Sequence, residues 1–245
     1  VEHHQLDHLV ADRQRWVPSP YRALLVHGPY SRREVALTFD DGPHPTYTPQ
    51  LLALLKRYNA HATFFVVGQQ ARQYPDLVRQ ELAAGHSVGN HTYHHVNLQA
   101  TAQPALSAEI LACGDVLQRL AGRRPHLFRP PGGRYDRGVL KLAHALGYTT
   151  VLWTDNSHDY LNPSPVELRG RVFGGVGNGE IILLHDGVKE NLAVLGSLLE
   201  YLQATGRKCV TVDEMLAPAR PARPRARHRP SAPRPALQGP ASAKR

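Results

Sequence analysis

The sequence predicts an α/β fold in which seven parallel strands close, or nearly close, into a barrel. Two patterns carry that expectation. Between Arg33 and Leu216, short apolar runs rich in β-branched and aromatic residues alternate with longer segments of helical period, the signature of repeated βα units. Most of the short runs also lack polar alternation, as strands covered on both faces do. The 245 residues, 42% hydrophobic and 20% charged, suffice for a single barrel, and two cysteines are too few for a disulfide scaffold. No apolar run approaches the roughly 18 residues of a membrane span.

Along the chain, residues 1–32 show no usable period and are expected to form an extension of the folded unit, 33–216. The first strand is placed at Val35–Phe39. A helix follows, its stripe formed by Leu51, Leu52, Leu54, Leu55 and Tyr58, with Thr48 as N-cap and Pro49 at the first helical position. Further strands are expected at Ala62–Val67, Ser87–His91, Leu127–Pro130, Thr149–Thr154, Glu180–Leu184 and Lys208–Val212. Ser164 and Glu167 form a capping box at the start of the helix before the sixth strand. Cys113 on a helix and Cys209 in the last strand read as buried free thiols, and a disulfide between them stays open if the protein is secreted.

The net charge of +9 is not a property of the folded part. Residues 217–245 carry eight basic side chains, no acidic one and seven prolines, which leaves the first 216 residues nearly neutral. This stretch is too poor in large apolar residues to offset chain entropy and is expected to be disordered. Its charge suits an anionic cell-wall polymer or membrane surface. No aromatic residue interleaves the arginines, so base stacking on nucleic acid is not expected. The chain begins at Val1 and its one methionine is Met215, which a cleaved signal peptide would explain; an extracellular or wall-associated monomer is the expectation.

In barrels of this kind chemistry collects at the carboxyl ends of the strands. There the sequence places Asp40 and Asp41, then His91, His94 and His95, then Arg129, then Asp155 and Asp159, then His185 and Asp186. Adjacent carboxylates after an apolar strand repel each other unless something positive lies beside them, although Asp-Gly-Pro is also good turn chemistry. His91 and His95 would share a face in a helical turn, with His94 as a competing partner at i, i+3. With Asp41 they make a two-histidine, one-carboxylate set suited to Zn²⁺ or a similar divalent ion with positions left open. Metal-assisted hydrolysis still needs a base and an acid. Asp40 is placed for the first role and His185 for the second, with Arg129 pairing Asp40 and Asp159 orienting His185.

At these residues the chain resembles a known family. Thr-Phe-Asp-Asp-Gly-Pro, His-Thr-x-x-His, Arg-Pro-Pro-x-Gly, Asp-Tyr and Leu-Leu-His-Asp occur in the order and at the spacings of the polysaccharide deacetylases of carbohydrate esterase family 4, the NodB homology domain. The resemblance spans roughly Arg33–Leu216 and implies a distorted (β/α)7 barrel with one divalent metal ion, zinc first and cobalt, nickel or manganese as alternatives. It implies removal of acetyl groups from N-acetylglucosamine polymers of peptidoglycan or chitin type, or from acetylated xylan. Carried over by motif, Asp40 is the base, Asp41, His91 and His95 are the ligands, Arg129 positions the base and His185, backed by Asp159, is the acid. Pro131, Gly132, Tyr160 and Leu183 are the implied substrate-binding residues, with Leu183 lining the acetyl methyl pocket. Gly132 stands where the family often has tyrosine, Tyr160 where tryptophan is usual, and Asn156 where aspartate is common. A catalytically silent carbohydrate-binding barrel is the rival reading; it should lack one of the five core residues, all of which are present.

Overall fold

The computed structural model describes residues 24–174 and 176–218, so most of the N-terminal extension and nearly all of the basic tail lie outside the described residues. Among those residues nine parallel strands form one sheet: β1 (Leu24–Leu25), β2 (Glu34–Asp40), β3 (Ala62–Val66), β4 (Ser87–Asn90), β5 (Leu127–Phe128), β6 (Thr149–Val151), β7 (Asp155–Asn156), β8 (Ile181–His185) and β9 (Lys208–Cys209). The order across the sheet is β1-β6-β5-β4-β3-β2-β8-β7, with β9 added to β2. All seven expected strands are present, most of them shorter than expected. The two that were not expected, β1 and β7, have two residues each, too few to show a period.

The sheet is an open half-barrel, and one segment runs between its two edges. Residues 149–151 pair with β1 and β5 at one edge, and five residues later the same chain pairs with β8 at the other. Between them, Leu152 N–H donates to Leu25 O at 2.8 Å and Thr154 N–H to Ile181 O at 3.0 Å.

The alternation along β2 divides the two faces. Leu37 and Phe39 pack outward against Leu51 and Leu55 of α1 (Thr48–Arg57), with Leu195 and Leu198 of α7 (Lys189–Ala204) in the same cluster. Ala36 shares the interior with Phe65, Leu127, Val151 and Leu183. Each fully buried Phe or Leu contributes roughly 1.5–3 kcal/mol. Thr38 and Asp40 lie on the Ala36 side of the pleat, so the interior turns polar toward the carboxyl end of β2. Register completes the placement, since Asp40 lies opposite His185 and Thr38 opposite Leu183.

The remaining helices are α2 (Gly68–Gln73), α3 (Pro75–Ala83), α4 (Gln103–Ala121), α5 (Arg137–Ala145), α6 (Pro165–Phe173) and α8 (Val212–Leu216). The expected cap at Thr48 is corrected. Tyr47 holds the cap position, and the Thr48 hydroxyl accepts from His44 N–H at 2.7 Å and donates to Asp186 Oδ2. A buried carboxylate thus draws the hydroxyl away from the helix end. The capping box at α6 is present, Ser164 Oγ accepting from Glu167 N–H and Glu167 Oε2 from Ser164 N–H. Cys113 and Cys209 are free thiols that donate to Val66 O and His61 O, and burial pushes each up to about 12.

Candidate active site

Asp41, His91 and His95 converge at the carboxyl ends of β2 and β4, where one ligand atom from each lies within 4.8 Å of the others. Asp41 Oδ1 is 3.4 Å from His91 Nε2 and 3.1 Å from His95 Nε2. The route differs from the helical turn expected from the spacing. Residues 91–97 form a loop, and Asp41, Thr92 and His95 adopt positive φ of 72°, 65° and 57°. Non-glycine residues enter that region only when their surroundings hold them there. His94 is turned aside to Glu109, with Nδ1 2.7 Å from Oε1, which removes the competing spacing.

The residues fit a divalent ion. His91 Nδ1 lies 2.8 Å from Arg129 O, to which it donates, and this leaves Nε2, the nitrogen that faces Asp41, as its ligand atom. Asp41 Oδ1 is buried and accepts no hydrogen bond of good geometry. Two imidazole nitrogens and one carboxylate oxygen make a donor set for zinc and its neighbours. Burial pushes the Asp41 carboxyl up, but contact with His91 and His95 and their charge outweigh it and hold it well below the usual carboxylate range. Asp41 in turn raises His95 by the same contact.

Beside this set lies a fully buried arginine. Arg129 Nη1 donates to Asp40 Oδ1 at 2.6 Å and to Thr38 Oγ1 at 2.8 Å, while Nε and Nη2 each donate at 3.1 Å to Val151 O and Leu152 O. Its guanidinium stacks on Phe65 at 4.0 Å and near Trp153 at 5.5 Å. A buried charge is tolerated only with this degree of pairing. With Oδ1 taken by Arg129, Asp40 presents Oδ2 toward His91 Nε2 at 3.7 Å.

On the other flank His185, at the end of β8, donates from Nδ1 to Asp159 Oδ1 at 2.6 Å. Asp159 has no solvent exposure and also accepts from His185 N–H, Tyr160 N–H and Asn191 Nδ2. Burial lowers the His185 imidazole, yet contact with Asp159 and the charges of Asp159, Asp40 and Asp41 push it up to about 9. Asp159 thus favours the protonated imidazole, with Nδ1 occupied and Nε2 available.

A groove of about 550 Å³ runs past the free faces of His95 and His185. Its lining includes all four expected substrate residues, Pro131, Gly132, Tyr160 and Leu183, together with Trp153. The Tyr160 ring stands edge-on to His185 at 5.5 Å, and Leu183 and Trp153 form an apolar floor. Gly132 has φ of 61°, and a Cβ there would meet nothing nearer than 3.8 Å, so the wall is open at that point. Gly133 is different: its Cβ would lie 2.5 Å from Trp153 Cη2.

A family profile described as polysaccharide deacetylase matches residues 27–151. A peptidoglycan-N-acetylglucosamine deacetylase of Bacillus cereus is 40% identical over 193 residues, covering 77% of this chain and 90% of that protein. The chain belongs to the polysaccharide deacetylase family, carbohydrate esterase family 4. Among solved structures, the Bc1960 peptidoglycan N-acetylglucosamine deacetylase superposes with a TM-score of 0.77 at 34% identity, covering 82% of this chain and 97% of that one. A pseudoenzyme of the same family from Bacillus anthracis superposes almost as well, with a TM-score of 0.76 at 25% identity, covering 80% of this chain and 69% of that one. Barrel shape alone therefore does not separate active from inactive members of the family, and the argument for function rests on side chains.

Four supporting residues of this deacetylase-family site escaped the sequence reading. Asn191, at the start of α7, donates to both Asp159 Oδ2 at 2.6 Å and His185 O at 2.8 Å. Thr38 relays Arg129 to Ile182 O, to which its hydroxyl donates at 2.7 Å. Asn90 accepts from Thr92 N–H at 2.9 Å, and Glu109 accepts from the same loop. Thr38 alone had a legible signal, a polar residue inside an apolar strand two positions before Asp40.

Proposed function

We propose that this chain is a metal-dependent hydrolase that removes acetyl groups from N-acetylglucosamine units of a glycan, with peptidoglycan the first substrate to test. The observation that carries the reading is one rim on which a candidate ligand set lies between a carboxylate with one oxygen turned to it and an imidazole whose other nitrogen is held by a buried carboxylate. The identity to peptidoglycan deacetylases supports the choice of glycan.

Asp41, His91 and His95 would hold the ion, which when bound supplies Lewis-acid polarisation of the acetyl carbonyl and lowers the pKa of water toward about 7. Asp40 Oδ2 takes a proton from the water that attacks the acetyl carbon, while Arg129 fixes the other oxygen so that the free lone pairs face the groove. Leu183 and Trp153 receive the acetyl methyl, and the Gly132 backbone N–H is assigned to the carbonyl oxygen. The C–N bond then breaks as His185 Nε2 delivers its proton to the departing nitrogen, giving acetate and a free amine. Asp159 keeps the imidazole in the tautomer this step requires. Pro131 and Tyr160 flank the sugar.

The test is acetate release from N-acetylglucosamine oligomers and from peptidoglycan, with added Zn²⁺ or Co²⁺ and again after exhaustive chelation. Turnover is expected to vanish on chelation and return with metal; turnover untouched by complete metal removal refutes the proposal. We further assign the basic residues 217–245 to retention on anionic wall polymer, outside the cell membrane. Deleting residues 219–245 should leave hydrolysis of soluble oligomers unchanged and abolish sedimentation with walls at low salt; unchanged sedimentation refutes this assignment.

A further inference from the structure

The loop between His91 and His95 must hold two residues at positive φ while presenting two imidazoles to one point. Two struts brace it. On the strand side, Asn90 accepts from Thr92 N–H and donates to Ile110 O at 2.7 Å and to Tyr148 OH at 3.0 Å. On the outer side stands Glu109, in the middle of α4. Its Oε2 accepts from Tyr93 N–H at 3.1 Å and from His94 N–H at 2.8 Å, and its Oε1 accepts from His94 Nδ1 at 2.7 Å. Three donors thus converge on one carboxylate whose side chain is only 14% exposed.

We propose that Glu109 is a positioning residue for the metal ligands. The peptide groups it grips lie between His91 and His95, so they set how far apart and at what angle the two imidazoles stand. A carboxylate suits the task because both its oxygens only accept, and bonds to a charged acceptor are the stronger kind. The same grip holds His94 away from the ligand set. Groups hydrogen-bonded to a ligand itself typically change metal affinity about 10- to 100-fold when lost, and Glu109, which grips the peptide groups between two ligands, is expected toward the lower end of that range. The inference rests on Asp41, His91 and His95 being the ligands.

The experiment is a competition titration of the metal-free full chain with Zn²⁺ against a chelating indicator, with the thermal midpoint of each metal-free variant measured alongside. Glu109→Ala is expected to weaken Zn²⁺ binding about 10-fold or more. Glu109→Gln retains an oxygen for the two backbone donors and is expected to bind within about threefold of the unaltered chain, as is His94→Ala. A role confined to stability would lower the metal-free midpoint and leave the affinity alone. Unaltered Zn²⁺ affinity in Glu109→Ala, or Glu109→Gln as weak as Glu109→Ala, overturns the proposal. Should Glu109→Ala not fold, Glu109→Asp, which withdraws the carboxylate by one methylene, takes its place with weakening of about fivefold or more expected; full affinity there overturns it equally. His91→Ala separates the two levels. If it binds Zn²⁺ normally the ligand assignment fails, whereas if it abolishes the site while Glu109→Ala does not weaken it, only the role of Glu109 fails.

Discussion

Replacing Asp159 by asparagine removes a charge from a fully buried side chain that accepts four hydrogen bonds, two of them from His185. Asp159 heads the causes that lift the His185 imidazole from 6.5 to about 9, an attraction worth roughly 3 kcal/mol. Without it the imidazole should fall back most of the way. At about pH 8 the protonated fraction then drops on the order of 20- to 30-fold, whereas at about pH 6 it changes less than twofold. Hydrolysis by Asp159→Asn relative to the unaltered enzyme should therefore decline on the order of 20-fold across that range, beyond whatever constant loss the altered hydrogen bonding brings. A bound cation would lower the imidazole in both proteins and move the window in which their ratio changes toward lower pH, so the quantity to read is the change of the ratio with pH and not its value at one pH. Stability of the metal-free proteins gives a second measure. A histidine raised in the folded state adds stability that is complete below its unfolded value of about 6.5 and is lost as pH rises through about 9. Urea denaturation should show the unaltered chain weakening over that window and the variant nearly flat. A ratio of rates that stays constant from about pH 6 to pH 8, together with an unchanged stability slope, would refute the coupling.

Arg129→Met should cost roughly 3–5 kcal/mol in chemical denaturation, because it leaves Asp40 buried without its partner and frees the carbonyls of Val151 and Leu152. Asp41→Asn should weaken metal binding so that excess Zn²⁺ restores part of the rate, whereas Asp40→Asn should lose about 10²- to 10⁴-fold in turnover that no metal concentration recovers. Metal stoichiometry measured beside both rates checks the assignment, and loss of metal by Asp40→Asn alone would reverse it. Gly133→Ala should destabilise by about 2 kcal/mol or more, since φ is 67° and the new methyl would collide with Trp153, and its thermal midpoint is the check.

Much of the candidate site, as a set of residues that the fold brings together, was legible because its chemistry departs from its surroundings. Asp40, Asp41, Arg129 and His185 stand at the ends of apolar runs, where burial of the run leaves the ionisable groups, and His91 and His95 stand out as a closely spaced pair in the loop after β4. The positions were legible, but the conformations were not. His91 and His95 meet through positive φ at Thr92 and His95, which no spacing rule encodes. Asn191 and Glu109 were invisible for another reason, since a polar residue at a helix start or on a half-exposed helix face reads as solvated until the loop it serves is known. Thr48 misled through its own versatility, as a hydroxyl beside proline caps helices in general but here meets Asp186. The strands β1 and β7 exist only through pairing with β6 and β8, a long-range property absent from any local window.

The register of β2 with both β3 and β8 has a consequence for how competence arises. Asp41 follows β2, and His91 and His95 follow β4; only β3 lies between these two strands, both in the chain and in the sheet. Asp159, His185 and Asn191 belong to a distant stretch that reaches the first only when β8 docks beside β2. Contacts of short span cost less chain entropy to close than those of long span. Under the proposed roles, ion capture thus draws on the early stretch alone, whereas bond cleavage needs both stretches together. If the proposed roles hold, damage to the later stretch should leave a protein that binds the ion without delivering the proton, which is one physical route from a hydrolase to a protein that only binds.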